Sequence, residues 1–136
     1  MFHLFIRCFT KKYFQFKGRA SRKEYLSFLI FNHLVVLLLK ILIKITALKI
    51  TAIFLGAYLL ASLSPFILVA VRRMHDINLS GWWGLLLTII IIVLRLIPDK
   101  NNIVSILSII VLIIVIFIIC KKGTSGSNRY GKPPMD

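Results

Sequence analysis

The sequence predicts an all-α polytopic membrane protein: four transmembrane helices, both termini cytoplasmic, and an amphipathic N-terminal helix lying in the interface. Three observations predict it. Hydrophobic residues fill 59% of the 136 positions, where a soluble domain has about 45–50%. Yet 18 Lys and Arg stand against 4 Asp and Glu, a formal charge of +14. Those charges flank long apolar runs and leave the runs nearly clean. A basic stripe on a soluble domain would read as a nucleic-acid surface; a basic rim around apolar spans reads as a membrane protein, and no nucleic-acid partner is expected.

The first sixteen residues carry Phe2, Phe5, Ile6, Phe9, Tyr13 and Phe16 at helical spacing, with Arg7, Thr10 and Lys11 elsewhere around the wheel. This pattern suits a helix flat in the interface, and residues 1–17 form the expected interfacial segment. The apolar start precedes Lys11 and Lys12, the reverse of a cleavable signal peptide's order. Residues 18–122 form the expected four-helix domain, with spans at 25–43, 50–71, 82–97 and 103–120. Residues 123–136, rich in Gly, Ser and Pro, read as a turn-bearing tail.

Ser21 and Glu24 stand at the S-x-x-E spacing of a capping box at the start of the first span. Within that span Asn32 and His33 sit deeper, cannot snorkel so easily, and are expected to hydrogen-bond across helices. A proton-relay role for His33 is the sharper alternative. The second span is uncharged over 50–71 and sets Ala52/Gly56 and Ala57/Ala61 four apart, a spacing that admits a close neighbour in the same chain or a second copy. Pro65 is expected to bend its last third. The third span opens on Trp82 and Trp83, where interfacial indoles belong, with Ser80 as its expected N-cap. Lys40 and Arg95 lie near the outer span ends, so their stems are expected to carry the charge out to the interface.

Orientation follows from the basic residues. Thirteen (Arg7, Lys11, Lys12, Lys17, Arg19, Arg22, Lys23, Arg72, Arg73, Lys121, Lys122, Arg129 and Lys132) fall on one side, and five (Lys40, Lys44, Lys49, Arg95 and Lys100) on the other. The positive-inside rule places the larger set in the cytoplasm.

Three polar clusters share that side: FKGRASRKEY (16–25), RRMHDINLSGWW (72–83) and GTSGSNRYGKPP (123–134). In this order they resemble the domain-of-unknown-function 805 family of small bacterial inner-membrane proteins, over about residues 14–134. Leu26 stands where that family commonly has an aromatic, and Pro98-Asp99-Lys100 lacks a glycine often found in its outer loop. The resemblance implies a bacterial inner-membrane location and supplies no catalytic residues. From the residues themselves, Arg19 and Arg22 are expected to meet phosphate or a carboxylate, and the planar forks of Arg72 and Arg73 to match lipid phosphate. His75, Asp76, Trp82 and Trp83 complete the face, with Asp76 pairing a nearby Arg, and Asn128, Arg129 and Tyr130 docking the tail onto it.

Three functions compete. A non-catalytic protein would bind anionic lipid head groups or an acidic partner through this face. A small oligomeric transporter or channel would line its path with Asn32, His33 and hydroxyls. A lipid-modifying enzyme would need His75 as base, and the few carboxylates suit no magnesium site. No metal, cofactor or disulfide is expected of the isolated Cys8 and Cys120.

Overall fold

The computed structural model describes residues 1–97 and 102–134; the 98–101 connection, with Asp99 and Lys100, and residues 135–136 lie outside that description. Five helices follow one another: α1 Phe2–Phe9, α2 Arg22–Thr46, α3 Lys49–Asp76, α4 Gly81–Leu96 and α5 Asn102–Cys120. Among the described residues there is no strand, only an isolated bridge between Asn128 and Gly131.

The first two spans extend beyond their expected bounds where a cap or a turn permits it, while α4 is shifted by one residue and α5 gains only Asn102. Ser21 starts α2 three residues before Tyr25, its hydroxyl accepting the Glu24 amide at 3.0 Å. A left-handed Ala47 (φ 52°) ends the helix, and Leu48 opens α3. That helix runs on past the expected 71 to Asp76 and continues unbroken through Pro65. At 28 residues it is about 42 Å long, more than the roughly 30 Å hydrocarbon core requires. Among the described residues three helices, α2, α3 and α5, are long and apolar enough to cross a bilayer; α4, at 16 residues, is shorter. The chain is an all-helical polytopic membrane protein.

The packed core gathers toward the basic end, where Phe5, Cys8, Tyr25, Phe28, Val69 and Met74 cluster with Leu87 and Ile118. Elsewhere large apolar side chains such as Leu38, Ile53, Leu60 and Ile113 face outward, as lipid-facing helix surfaces must. Between α3 and α4 the contact is backbone-close, because a β-carbon on Gly84 would stand 2.8 Å from the Ala70 carbonyl. The small-residue row of α3 is different. Ala52, Gly56, Ala57 and Ala61 are exposed, and nothing lies within 4 Å of a β-carbon placed at Gly56.

Helix α1 packs on α2 and α3 through its aromatic side. Phe5 sits among Phe9, Phe28 and Phe31, while Phe9 stacks on Tyr58 with ring centres 6.2 Å apart. The helix stops at Phe9, so Tyr13 and Phe16 are not on its wheel; Phe14 and Phe16 are exposed. Tyr13 has a separate task. Pro65 has no N–H to give the carbonyl four residues back. The Tyr13 hydroxyl donates to that Ala61 oxygen at 2.8 Å, and the Ser64 hydroxyl donates to the Tyr13 carbonyl at 2.8 Å. The N-terminal segment thereby repairs the gap in the α3 ladder.

Candidate functional site: a buried charge clasp at the basic end

Two carboxylates organise the basic end, and each is held between cations from different parts of the chain. Glu24, in the first turn of α2, is buried. Its Oε2 accepts from Lys12 Nζ at 2.7 Å, and Oε1 lies 3.1 Å from Arg72 Nη1. The Cys8 thiol points at the same oxygen, 3.8 Å away. The capping box is therefore half-formed. Ser21 caps the helix, but Glu24 turns inward, away from the Ser21 amide. The cause is electrostatic: a desolvated carboxylate beside two cations gains more from pairing than from capping.

Asp76 ends α3 and forms the second node. Arg19 approaches Oδ1 through Nε at 2.9 Å and Nη2 at 2.8 Å, a two-nitrogen grip that only a guanidinium provides. Arg73 Nη1 donates to Oδ2. The remaining donors of both arginines fasten the chain that follows α5. Arg73 Nε and Nη2 reach the Ile118 carbonyl at 3.2 and 3.0 Å, and Nη2 also reaches Lys121, so orphan carbonyls at the C-terminus of α5 find donors. Arg19 donates to the Gly126 carbonyl at 2.6 Å and to that of Thr124.

Arg72 and Arg73 thus depart from the expectation that their forks face lipid phosphate. They are 1% and 0% exposed, turned into the protein toward Glu24 and Asp76. Arg19, 6% exposed, is likewise consumed internally. Arg72 is held chiefly by charge. Its Nε donates to Leu68 at 3.3 Å, but Nη1 and Nη2 make no aligned hydrogen bond among the described residues.

The tail docks on the α3 terminus. Thr124 donates its amide to the Asp76 carbonyl at 2.9 Å, and Asn128 Nδ2 bonds the His75 carbonyl and the Thr124 hydroxyl, both at 2.9 Å. The Tyr130 ring stacks on the His75 imidazole at 3.9 Å and 10°, and Arg129 lies over Tyr130 while reaching Asn78 O at 3.2 Å. His75 Nδ1 donates to the Gly18 carbonyl at 3.1 Å, so all three polar clusters meet in one place. A β-carbon on Gly123 would overlap the Asp76 carboxylate, which makes glycine necessary there. Ser80 occupies the α4 N-cap without a side-chain bond, the Trp83 amide using its carbonyl instead. Trp82, Trp83 and Arg22 face outward.

Within the spans, Asn32 accepts from the Tyr58 hydroxyl at 2.9 Å, a bond between α2 and α3. His33 and Arg95 bond each other, so the Arg95 head turns to α2 and does not run outward along its own helix. Lys12, Cys8, Thr124 and Gly126 were missed as members of the clasp. A usable signal was scarcity: with so few acids in the chain, two beside arginines in separate motifs point to an internal pairing.

Burial, with the Glu24 carboxylate second, pushes the Cys8 thiol up to about 11, while Arg72 and Lys12 pull the other way. Since the thiolate is the reactive form, maleimide at neutral pH is expected to label exposed Cys120 and spare Cys8 in the folded protein, then to label both in denaturant. Mass mapping of the labelled peptides checks this. Rapid native labelling of Cys8 would contradict its burial on the inner face of α1.

The family model described as "Protein of unknown function (DUF805)" matches residues 13–132, which hold the first two clusters and all but the last two residues of the third. The chain is 36% identical over 124 residues to inner membrane protein YhaI of Escherichia coli K12, covering 91% of this chain and 89% of that one. It is 33% identical over 127 residues to inner membrane protein YhaH of the same strain, covering 91% and 90%. No solved structure matches. The relatives are named inner membrane proteins, the described helices are long and apolar enough for an integral membrane protein, and the chain belongs to the DUF805 family.

Proposed function

We propose that the basic end faces the cytoplasm and binds anionic lipid head groups without catalysis. The observation that carries this reading is the division of labour among the cations. The clasp uses Lys12, Arg19, Arg72 and Arg73 to neutralise Glu24 and Asp76. Around it Lys11, Lys17, Arg22, Lys23, Lys121, Lys122 and Lys132 are exposed and take part in no ion pair among the described residues. Trp82 and Trp83 stand exposed at the same end, at the depth indoles favour. The excess of basic residues supports the orientation by the positive-inside rule. His75, the base an enzyme reading would need, is committed to Gly18 and stacked under Tyr130, which favours a non-catalytic role.

The test uses the intact protein in nanodiscs of phosphatidylcholine with a minor share of phosphatidylglycerol. Native mass spectrometry is expected to show phosphatidylglycerol enriched around the protein. Lys121→Gln with Lys122→Gln is expected to lower that enrichment several-fold, each juxtamembrane cation being worth roughly 1 kcal/mol near an anionic surface. Added salt is expected to act in the same direction. Equal retention of the two lipids, or a double variant indistinguishable from the original, would refute the reading.

A further inference from the structure

A groove of about 550 Å³ opens between α2, α4 and α5, with one end beside the clasp at Leu26 and Ile119 and the other near the middle of α2. Leu29, Ile91, Val111 and Val115 are among its apolar walls, and it follows α5 from Ser108 to Ile119, about 17 Å at 1.5 Å per residue. Its volume lies within the roughly 300–1,000 Å³ usual for ligand sites. One end is polar, made by His33, Arg95 and Ser108.

Among the described residues that end holds a positive charge with no anionic partner. His33 Nδ1 contacts the Leu29 carbonyl at 2.7 Å, and a carbonyl can only accept, so Nδ1 carries the proton. The Nε2 lone pair then accepts from Arg95 Nη2. The imidazole serves as a neutral prop, and Arg95 keeps its charge with no ion-pair partner among the described residues. The pair is exposed on the side of the helices, and its depth along them is notable. His33 lies near the middle of the 25-residue α2, so the guanidinium is held well below the outer end of the α2–α3 hairpin. A cation at such a depth marks a site whose partner must be named.

We infer that this groove binds a long-chain fatty acid, its carboxylate on Arg95 and its hydrocarbon chain lying against α5 toward the basic end. A single groove offers room for one chain, and one guanidinium with no ion pair among the described residues matches one carboxylate. Nη1 and Nε of Arg95 make no bond among the described residues and can serve that carboxylate, while the Ser108 hydroxyl is turned back to the Val104 carbonyl at 2.8 Å. This inference is independent of head-group binding at the opposite end of the groove.

The experiment uses the full chain in phosphatidylcholine nanodiscs with palmitate bearing a terminal diazirine. Irradiation is expected to give saturable crosslinks within residues 111–119. Unlabelled palmitate should compete at least ten-fold better than hexadecanol, which has the same chain without the charge. Arg95→Gln should weaken crosslinking by a similar factor while Cys8 stays protected. The hexadecanol comparison is made on the unaltered chain, so it decides the matter even where Arg95→Gln does not fold. Equal competition by hexadecanol overturns the inference, as does crosslinking that never saturates. Competition by phosphatidylglycerol as strong as by palmitate would also overturn it, assigning the groove to bulk anionic lipid.

Discussion

Asp76→Asn is expected to destabilise the protein by about 3–5 kcal/mol, the usual cost of removing one member of a buried ion pair. The cost is high because two guanidiniums depend on this carboxylate. Arg19 and Arg73 are nearly inaccessible, and an amide offers them one acceptor oxygen with no charge. The damage should spread along their other bonds, to the Ile118, Lys121, Thr124 and Gly126 carbonyls. The measurable signs are a lower midpoint of thermal unfolding in detergent and faster tryptic cutting after Lys121, Lys122 and Arg129. A variant that keeps its midpoint within a degree or two and its tail protected would show that the clasp contributes little.

Gly84→Val is expected to cost about 1–3 kcal/mol by a different route, overpacking. A β-carbon here meets the carbonyl carbon and oxygen of Ala70 and the Val71 amide nitrogen, all at 2.8 Å. These are main-chain atoms of a helix and cannot swing aside as a side-chain tip can. α4 must then shift off α3, opening the contact that buries Leu87 and Thr88. The same change at Gly56 meets open space and should leave the monomer's midpoint almost unaltered. The pair separates packing inside the chain from crowding at its lipid face. Equal losses at both sites would mean that valine acts through helix propensity alone.

The apolar runs, the Ser21 cap, the Asn32 bond between helices and the meeting of the tail with the 72–83 turn could all be inferred from residues alone. Each rests on a short-range rule: hydrophobic length, a hydroxyl before a helix, a polar group with no water in reach. The direction taken by Arg72 and Arg73 could not. Arginines ending a helix suit lipid phosphate and a carboxylate equally well, and the choice depends on where α2 sets Glu24 relative to α3. The contact of His33 with Arg95 was hidden for a similar reason. It depends on how far the α4–α5 hairpin is offset along α2, and no local pattern records that offset. The N-terminal segment combined both kinds of information. Its aromatic spacing announced a helix, but the use of Tyr13 to serve the oxygen left free by Pro65 needed the packed structure.

The clasp also imposes an order on biogenesis. Translation proceeds from the N-terminus, so Arg19 and Arg73 are both made before the ribosome releases Thr124, Gly126 and Asn128, which complete their surroundings. Until then the nascent polypeptide holds these guanidiniums half-satisfied beside the insertion machinery. Closure of the last stretch over them is thus a completion mark, and a ribosome that stops short leaves behind a product that a quality-control protease could tell from the finished one.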